Sequence, residues 1–429
     1  MPNVESNANY QTGVGLNPGF ELYCRDFASR LQKKFNQVEI RWAKFENWMP
    51  LVSVGSADHV ILPMLINGDN WLQAFAETAI SGSAFTIHPD KSGSNCKRLS
   101  ILFPFADLRQ DQRTRKPVPD SADAYNLAIV KKQFVFNIPL ANMLKYVAGA
   151  NDVTGMDMHS FLAYRTFIDA GLDTMNLTAM GLCAKQLEGI PSFINNRKNT
   201  LIGTTDFGDL NRAVPLSNIL NIPIAVVKKW RIAVENGTAS EVRQELIYGN
   251  PRGKQIILVD DMVSGGGTLK EGVRLYESLG AESFIIFITH AILVGDYYEK
   301  IQNILRNPKV KAVIFTNTIP LDTRFSGVVS RPYIGMGSNR REVTILDTNK
   351  LLVNAAGAIL NSSSIAEAKN KLGNNVWDMQ DPYDLACQVT GINITKPQDA
   401  GIYAGEGVYI NLDNNVITPP RFSAFSSST

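Results

Sequence analysis

Ile256-Ile257-Leu258-Val259-Asp260-Asp261-Met262-Val263-Ser264-Gly265-Gly266-Gly267-Thr268 reads as a buried strand running into two carboxylates, a glycine turn and the start of a helix. In an open α/β sheet, ligands bind where strands deliver their carboxyl ends. Three glycines let backbone N–H groups converge without Cβ obstruction, and a following helix adds partial positive charge. A phosphate is the natural guest of Ser264, Gly265, Gly266, Gly267 and Thr268. Carboxylates beside a phosphate would repel it, so Asp260 and Asp261 suit ribose hydroxyls or a magnesium ion. The plainer reading is a strand-to-helix turn with surface acids. A Walker loop would need Gly-Lys-Ser/Thr, and a dinucleotide fingerprint a glycine where Lys270 stands.

Outward from this stretch, strand-like apolar runs alternate with helical patterns. The clearest strands are 59–65, 99–103, 222–227, 256–259 and 284–289, each apolar enough for burial on both faces. Helices are expected over 71–80 and 269–279, the second placing Leu269, Val273 and Tyr276 on one face before Gly280. The pattern predicts an α/β fold with mainly parallel sheets flanked by helices. Residues 106–135 are charge-rich and read as a long loop, as does 323–341. Beyond 360 the composition turns to Asn, Ser and Gly, no motif stands out, and a mobile end is expected from about 418.

With 429 residues, 45% hydrophobic and 19% charged, the chain has material for two globular domains. A formal charge of +2 argues against a nucleic-acid surface. The four scattered cysteines, Cys24, Cys96, Cys183 and Cys387, form no CxxC pair, which fits a reducing, cytoplasmic setting without a zinc site. Residues 1–15 read as a flexible leader lacking signal-peptide character. The most apolar run, 284–295, is too short for a membrane span, which takes roughly 20 residues.

The acidic and glycine stretch resembles the PRPP-binding motif of type I phosphoribosyltransferase folds. Its surroundings are similar to those of ribose-phosphate pyrophosphokinases, as a divergent member. Similarity extends over roughly 18–360 and is densest over 203–321. There, Thr205-Asp206-Phe207-Gly208, Ile224-Ala225-Val226-Val227-Lys228-Lys229-Trp230-Arg231, Ser240-Glu241-Val242, Thr289-His290-Ala291-Ile292-Leu293-Val294-Gly295 and Thr316-Asn317-Thr318-Ile319-Pro320 follow the family's order.

The resemblance implies two tandem phosphoribosyltransferase-like domains plus a C-terminal extension: an ATP-side domain over 16–170, a sugar-phosphate domain over 171–333, and a return segment with extension over 334–429. It also implies transfer of the β,γ-diphosphate of ATP to the C1 hydroxyl of ribose 5-phosphate, with Mg2+, in a homo-oligomer. Lys229 and Arg231 match a catalytic Lys-x-Arg at the start of a mobile loop. Asp157-Met158-His159 resembles an Asp-Leu-His whose histidine meets the ATP phosphates and metal, and Asp206 matches a carboxylate near the metal and pentose. Arg109 and Gln110 would contact ATP, together with Phe45 and Asn47 of the adenine loop. Read without the resemblance, Lys228–Arg231 is a solvated strand end, Asp206 a turn cap, His159 a structural histidine and 106–135 solvated surface. His290 is read as buried and structural.

Departures gather around the substrates. Trp48 and Met49 replace the family's Gly and Glu in the adenine loop, Ser160-Phe161-Leu162 replaces Ala-Gly-Gln, and Ser264 and Gly265 replace an Asp and a Thr. The extra space admits a substituent on the sugar phosphate, so a larger acceptor such as ADP-ribose joins ribose 5-phosphate as an expectation, which would link the chain to NAD metabolism. The alternatives are a phosphoribosyltransferase that consumes PRPP and a non-catalytic regulatory subunit.

Overall fold

The computed structural model describes residues 12–45, 49–54, 57–66, 71–86, 96–106, 137–233, 240–264, 266–293, 303–319, 333–334 and 341–394. Strands β1 (Thr12–Val14), β4 (His59–Pro63), β5 (Arg98–Phe103), β6 (Asp152–Met156) and β7 (Asp173–Leu177) form a parallel sheet in that order. Between them, β2 (Ile40–Phe45) and β3 (Met49–Val54) make a separate antiparallel pair.

The second sheet holds β8 (Thr200–Gly203), β9 (Ile224–Ala233), β10 (Ser240–Tyr248), β11 (Gln255–Val263), β12 (Ser283–Ala291), β13 (Val310–Thr316), β14 (Tyr333–Ile334) and β15 (Arg341–Leu346). Its order is β10-β9-β8-β11-β12-β13-β15-β14, parallel except for β9/β10 and β14/β15 at the two edges. Every residue of β4, β6 and β12 is buried, the mark of strands covered on both faces.

Strand alternation sorts the apolar side chains into three layers. Ile61, Leu102 and Met175 share one cluster with Ile202, Ile257 and Phe287, so a single core joins the sheets. Ile256, Leu258 and Ile286 lie in a second cluster, and Val60, Ile101 and Val153 in a third. The helix Asn349–Leu360 returns from the second sheet to pack on the helix Arg25–Lys34 and on β4.

Several expected bounds shift. β7 completes the first sheet although it lies beyond the boundary expected at 170/171. β9 runs on to Ala233, so Lys229 and Arg231 lie inside a strand, paired with Gln244 and Val242, and not at the start of a loop. β11 likewise runs through Asp260 and Asp261 to Val263, because Met262 and Val263 keep pairing with His290 and Ala291. The expected helices extend over Trp71–Thr86 and Gly267–Ser278.

Beyond residue 360, where no motif stands out, two helices form, Ile365–Leu372 and Pro382–Thr390. Ser364 and Asp381 accept backbone N–H bonds at their first turns, and Pro382 presets the first turn of the second. Most of 106–135 and of 323–341, and everything beyond 394, lies outside the described residues. No helix among the described residues is long and apolar enough to cross a membrane.

Candidate active site

The site grows from the carboxyl ends of β6, β8, β11 and β12. Asp260 and Asp261 are buried in the second half of β11. After Ser264 the chain reaches Gly266, whose φ of 76° is the left-handed conformation that favours glycine, and Gly266 caps the helix Gly267–Ser278. That helix approaches closely because Gly272 has no side chain: a Cβ there would stand 2.8 Å from Cγ2 of Thr205. Tyr276 of the same helix is fully buried and donates its hydroxyl proton to the carbonyls of Thr204 and Ala225, at 3.0 and 3.2 Å. Gly265 lies outside the described residues, while Ser264 and Thr268 are half-buried at the turn.

The loop after β8 brings two more carboxylates. Asp206 accepts from the Gly208 N–H at 2.8 Å and faces Lys229 Nζ at 3.4 Å, with Lys229 buried. Asp209 accepts from the Thr205 backbone N–H and hydroxyl, at 2.7 and 2.8 Å. One turn later stands Arg212, 2% exposed. Its guanidinium donates to the carbonyls of Gly208, at 3.2 Å, and Met158, at 2.8 Å, and stands 3.7 Å from Asp261.

The first sheet supplies the turn after β6. Asp157 adopts φ of +37°, unusual for a residue with a side chain, and its carboxylate accepts from Ala179 N–H at 3.0 Å and from the Thr289 hydroxyl at 2.7 Å. This turn aims His159 so that Nδ1 lies 2.8 Å from Asp261 Oδ2. Ser160 then caps the helix Phe161–Asp169, accepting from the Ala163 N–H at 3.1 Å, which gives this departure a structural role. His290 sits between the Thr318 hydroxyl and the carbonyls of Met156 and Asp157, and burial pushes its pKa down, in keeping with its reading as a structural residue.

Crowding sets the electrostatics. Burial, reinforced by the charges of Asp209, Asp261 and Asp206, pushes Asp260 well above the ordinary carboxyl range. Burial and the Asp206 charge push Asp209 up to about 7, against the pull of Arg212 and the Thr205 donors. Burial would raise Asp261 as well, but His159 and Arg212 reverse that and hold it below the carboxylate range. Burial opposes the Arg212 charge, yet Asp261 and Asp157 raise its pKa above the usual guanidinium value. Negative charge is thus in excess, and it favours the neutral carboxyl at Asp260 and Asp209.

That excess suits a hard cation. Carboxylate oxygens of Asp209, Asp260 and Asp261 lie within 4.8 Å of one another, a donor set of the kind Mg2+ accepts. This cluster differs from the expected pair His159 and Asp206. Sequence reading missed Asp209 and Arg212, because Asp209-Leu210-Asn211-Arg212 has the ordinary pattern of a solvated helix start. Arg109, Gln110 and Asn47 lie outside the described residues, and the side chains of Phe45 and Arg231 do as well.

Residues 180–320 match the family described as phosphoribosyl transferase domain. A ribose-phosphate pyrophosphokinase 2 of Schizosaccharomyces pombe is 29% identical over 235 residues, 54% of this chain and 64% of that protein. A ribose-phosphate pyrophosphokinase of Clostridium acetobutylicum is 28% identical over 233 residues, 52% of this chain and 61% of that one. The chain thus matches less than two thirds of the length of these curated relatives. The crystal structure of phosphoribosylpyrophosphate synthetase from Mycobacterium smegmatis superposes with a TM-score of 0.55 at 20% identity, covering 81% of this chain and 98% of that one. The resemblance stated from the sequence therefore stands: the chain is similar to the ribose-phosphate pyrophosphokinases, and its fold, mainly parallel sheets flanked by helices with a C-terminal extension, is like that of the synthetase structure.

Proposed function

We propose that this divergent relative of the ribose-phosphate pyrophosphokinases transfers the β,γ-diphosphate of ATP to the C1 hydroxyl of a sugar ending in ribose 5-phosphate. The observation that carries the reading is the meeting of His159, from the first sheet, with Asp261, from the glycine-turn strand of the second, at 2.8 Å. One half brings a phosphate-contacting histidine and the other a sugar-phosphate cradle to a common point. The C1 oxygen attacks the β phosphorus, the bridging oxygen to the α phosphorus leaves with AMP, and the hydroxyl proton is released.

In this scheme Asp260 and Asp261 orient the ribose hydroxyls, and Ser264, Gly265, Gly266, Gly267 and Thr268 receive the sugar phosphate on backbone N–H groups. Lys229 and Arg231 stabilise charge on the transferred diphosphate, work for which fixed cations in a water-poor site are suited. Asp206, 3.4 Å from Lys229, holds that ammonium in place. Magnesium, when bound, neutralises the polyphosphate; Asp209, Asp260 and Asp261, with His159 and Asp206 nearby, are the residues to hold it. Phe45, Asn47, Arg109 and Gln110 are assigned to ATP, and the working form to a cytoplasmic homo-oligomer.

The smaller residues Ser264 and Gly265, standing where the family carries an Asp and a Thr, support an acceptor larger than ribose 5-phosphate, such as ADP-ribose. The protein is to be incubated with ATP, Mg2+ and either sugar, and AMP and the diphosphorylated sugar followed by mass. AMP formation that depends on one of the two sugars is the expected result; none with either overturns the reading.

A further inference from the structure

The segment Asn375–Tyr383, beyond the stretch of sequence resemblance, touches both halves of the site. Val376 pairs with Leu177 at the free edge of the first sheet. Thr178 N–H donates to the Asn375 carbonyl at 2.9 Å, and Trp377 N–H to the Asn176 carbonyl at 3.0 Å. The Asn176 side chain then works in two directions: its amide donates to the Trp377 carbonyl at 3.1 Å, and its oxygen accepts from Met158 N–H at 2.8 Å. Met158 precedes His159, so this edge reaches the histidine turn through one side chain.

On its other side the segment grips the acid loop. The Trp377 indole N–H donates to Asn211 Oδ1 at 3.2 Å, the Gln380 N–H to the same oxygen at 2.9 Å, and Asn211 Nδ2 to the Gln380 carbonyl at 3.0 Å. Asn211 is buried, and it stands between Asp209 and Arg212. Tyr383 packs edge-on against Phe207, ring centres 5.2 Å apart, and Phe207 stands between Asp206 and Gly208. Along 206–212, Asp206, Asp209 and Arg212 are thus engaged with the site, while Phe207 and Asn211 are engaged with the C-terminal segment.

We propose that Asn375–Tyr383 is a clamp that fixes the distance between the His159 turn and the Asp206–Arg212 loop, with Trp377 and Asn211 as positioning residues. The consequence for catalysis rests on the functional reading above; the clamp itself does not. A buried Asn with all three of its polar contacts made to one segment is expensive to leave unmatched, which gives the contact its specificity. A shift of about 1 Å in a group that positions reacting atoms can lower a rate by about 10²-fold.

The test uses the full chain and two variants, Asn211→Ala, which removes all three bonds, and Trp377→Phe, which keeps an aromatic ring and removes only the indole N–H. Amide hydrogen exchange is followed over 157–160 and 205–212, with 255–263 of β11 as the internal reference. Exchange is expected to quicken at least tenfold in both reporter segments of Asn211→Ala, by less in Trp377→Phe, and not in β11. AMP formation should lose about tenfold in kcat with KM for ATP changed less than threefold. Unchanged exchange in both variants, or an equal rise in β11, overturns the clamp. Should the wild type make no AMP with either sugar, the functional reading fails and the exchange data alone decide the clamp.

Discussion

At the carboxyl ends of β4 and β5 the chain continues through Met64, Leu65, Ile66 and Phe105, all buried and apolar. Thr204, Thr205 and Asp206 follow β8, and Asp260 and Asp261 lie within the carboxyl-terminal half of β11. Among the described residues the two sheets thus end in opposite chemistry, and from the first the turn after β6, with Asp157 and His159, joins the polar site. The difference teaches that a parallel strand end is a place, and that side-chain charge makes it a site. In the second sheet that charge is packed beyond what its own residues neutralise, the condition in which a bound cation or sugar stabilises the protein.

Removing the internal cation should break this contrast most. Arg212→Met is expected to cost about 3–5 kcal/mol, because it removes the buried cation beside Asp261, leaving that carboxylate to its contact with His159, and strips the Met158 carbonyl of its guanidinium donor. The drop in urea midpoint measures it, and a loss under about 1 kcal/mol would show that the acid ends do not depend on buried neutralisation.

A second test is the pH response. The folded-state value of Asp209, about 7, lies above the 3.8 of an ordinary carboxyl, so the folded chain holds a proton that the unfolded chain releases. The stabilisation is therefore full below about pH 4 and lost as pH rises through about 7. Melting scans of Asp209→Asn should show a flatter decline between pH 5 and 8 and a Tm higher at pH 8 by on the order of 5 °C. Added Mg2+ should raise the wild-type Tm at pH 8 more than that of the variant.

The smallest effect belongs to the first sheet's side of the site. Ser160→Ala removes the cap on Ala163 N–H and should cost about 1 kcal/mol in denaturant unfolding. Its pH dependence should match the wild type, since no titrating group is lost.

The residues themselves determined a good deal. The apolar run 256–259 reads as a buried strand, as the structure bears out, and the acids followed by glycines at its end read as a candidate anion site. Local pattern also carried the structural reading of His290, whereas the capping roles of Ser160 and Ser364 emerged from the structure. Asp209 and Arg212 were not legible, because a charged residue at a helix start ordinarily faces water, and only packing against the turn after β6 takes Arg212 to 2% exposure. The extent of β9 and β11 depended on pairing with β10 and β12, which no local stretch encodes. The 2.8 Å meeting of His159 with Asp261, 102 residues apart, and the grip of Trp377 on Asn211, 166 residues apart, exist because two sheets share one apolar core. Sequence set the chemistry of each strand end; the tertiary fold decided which ends face each other, since that choice rests on long-range burial and not on any neighbouring residue.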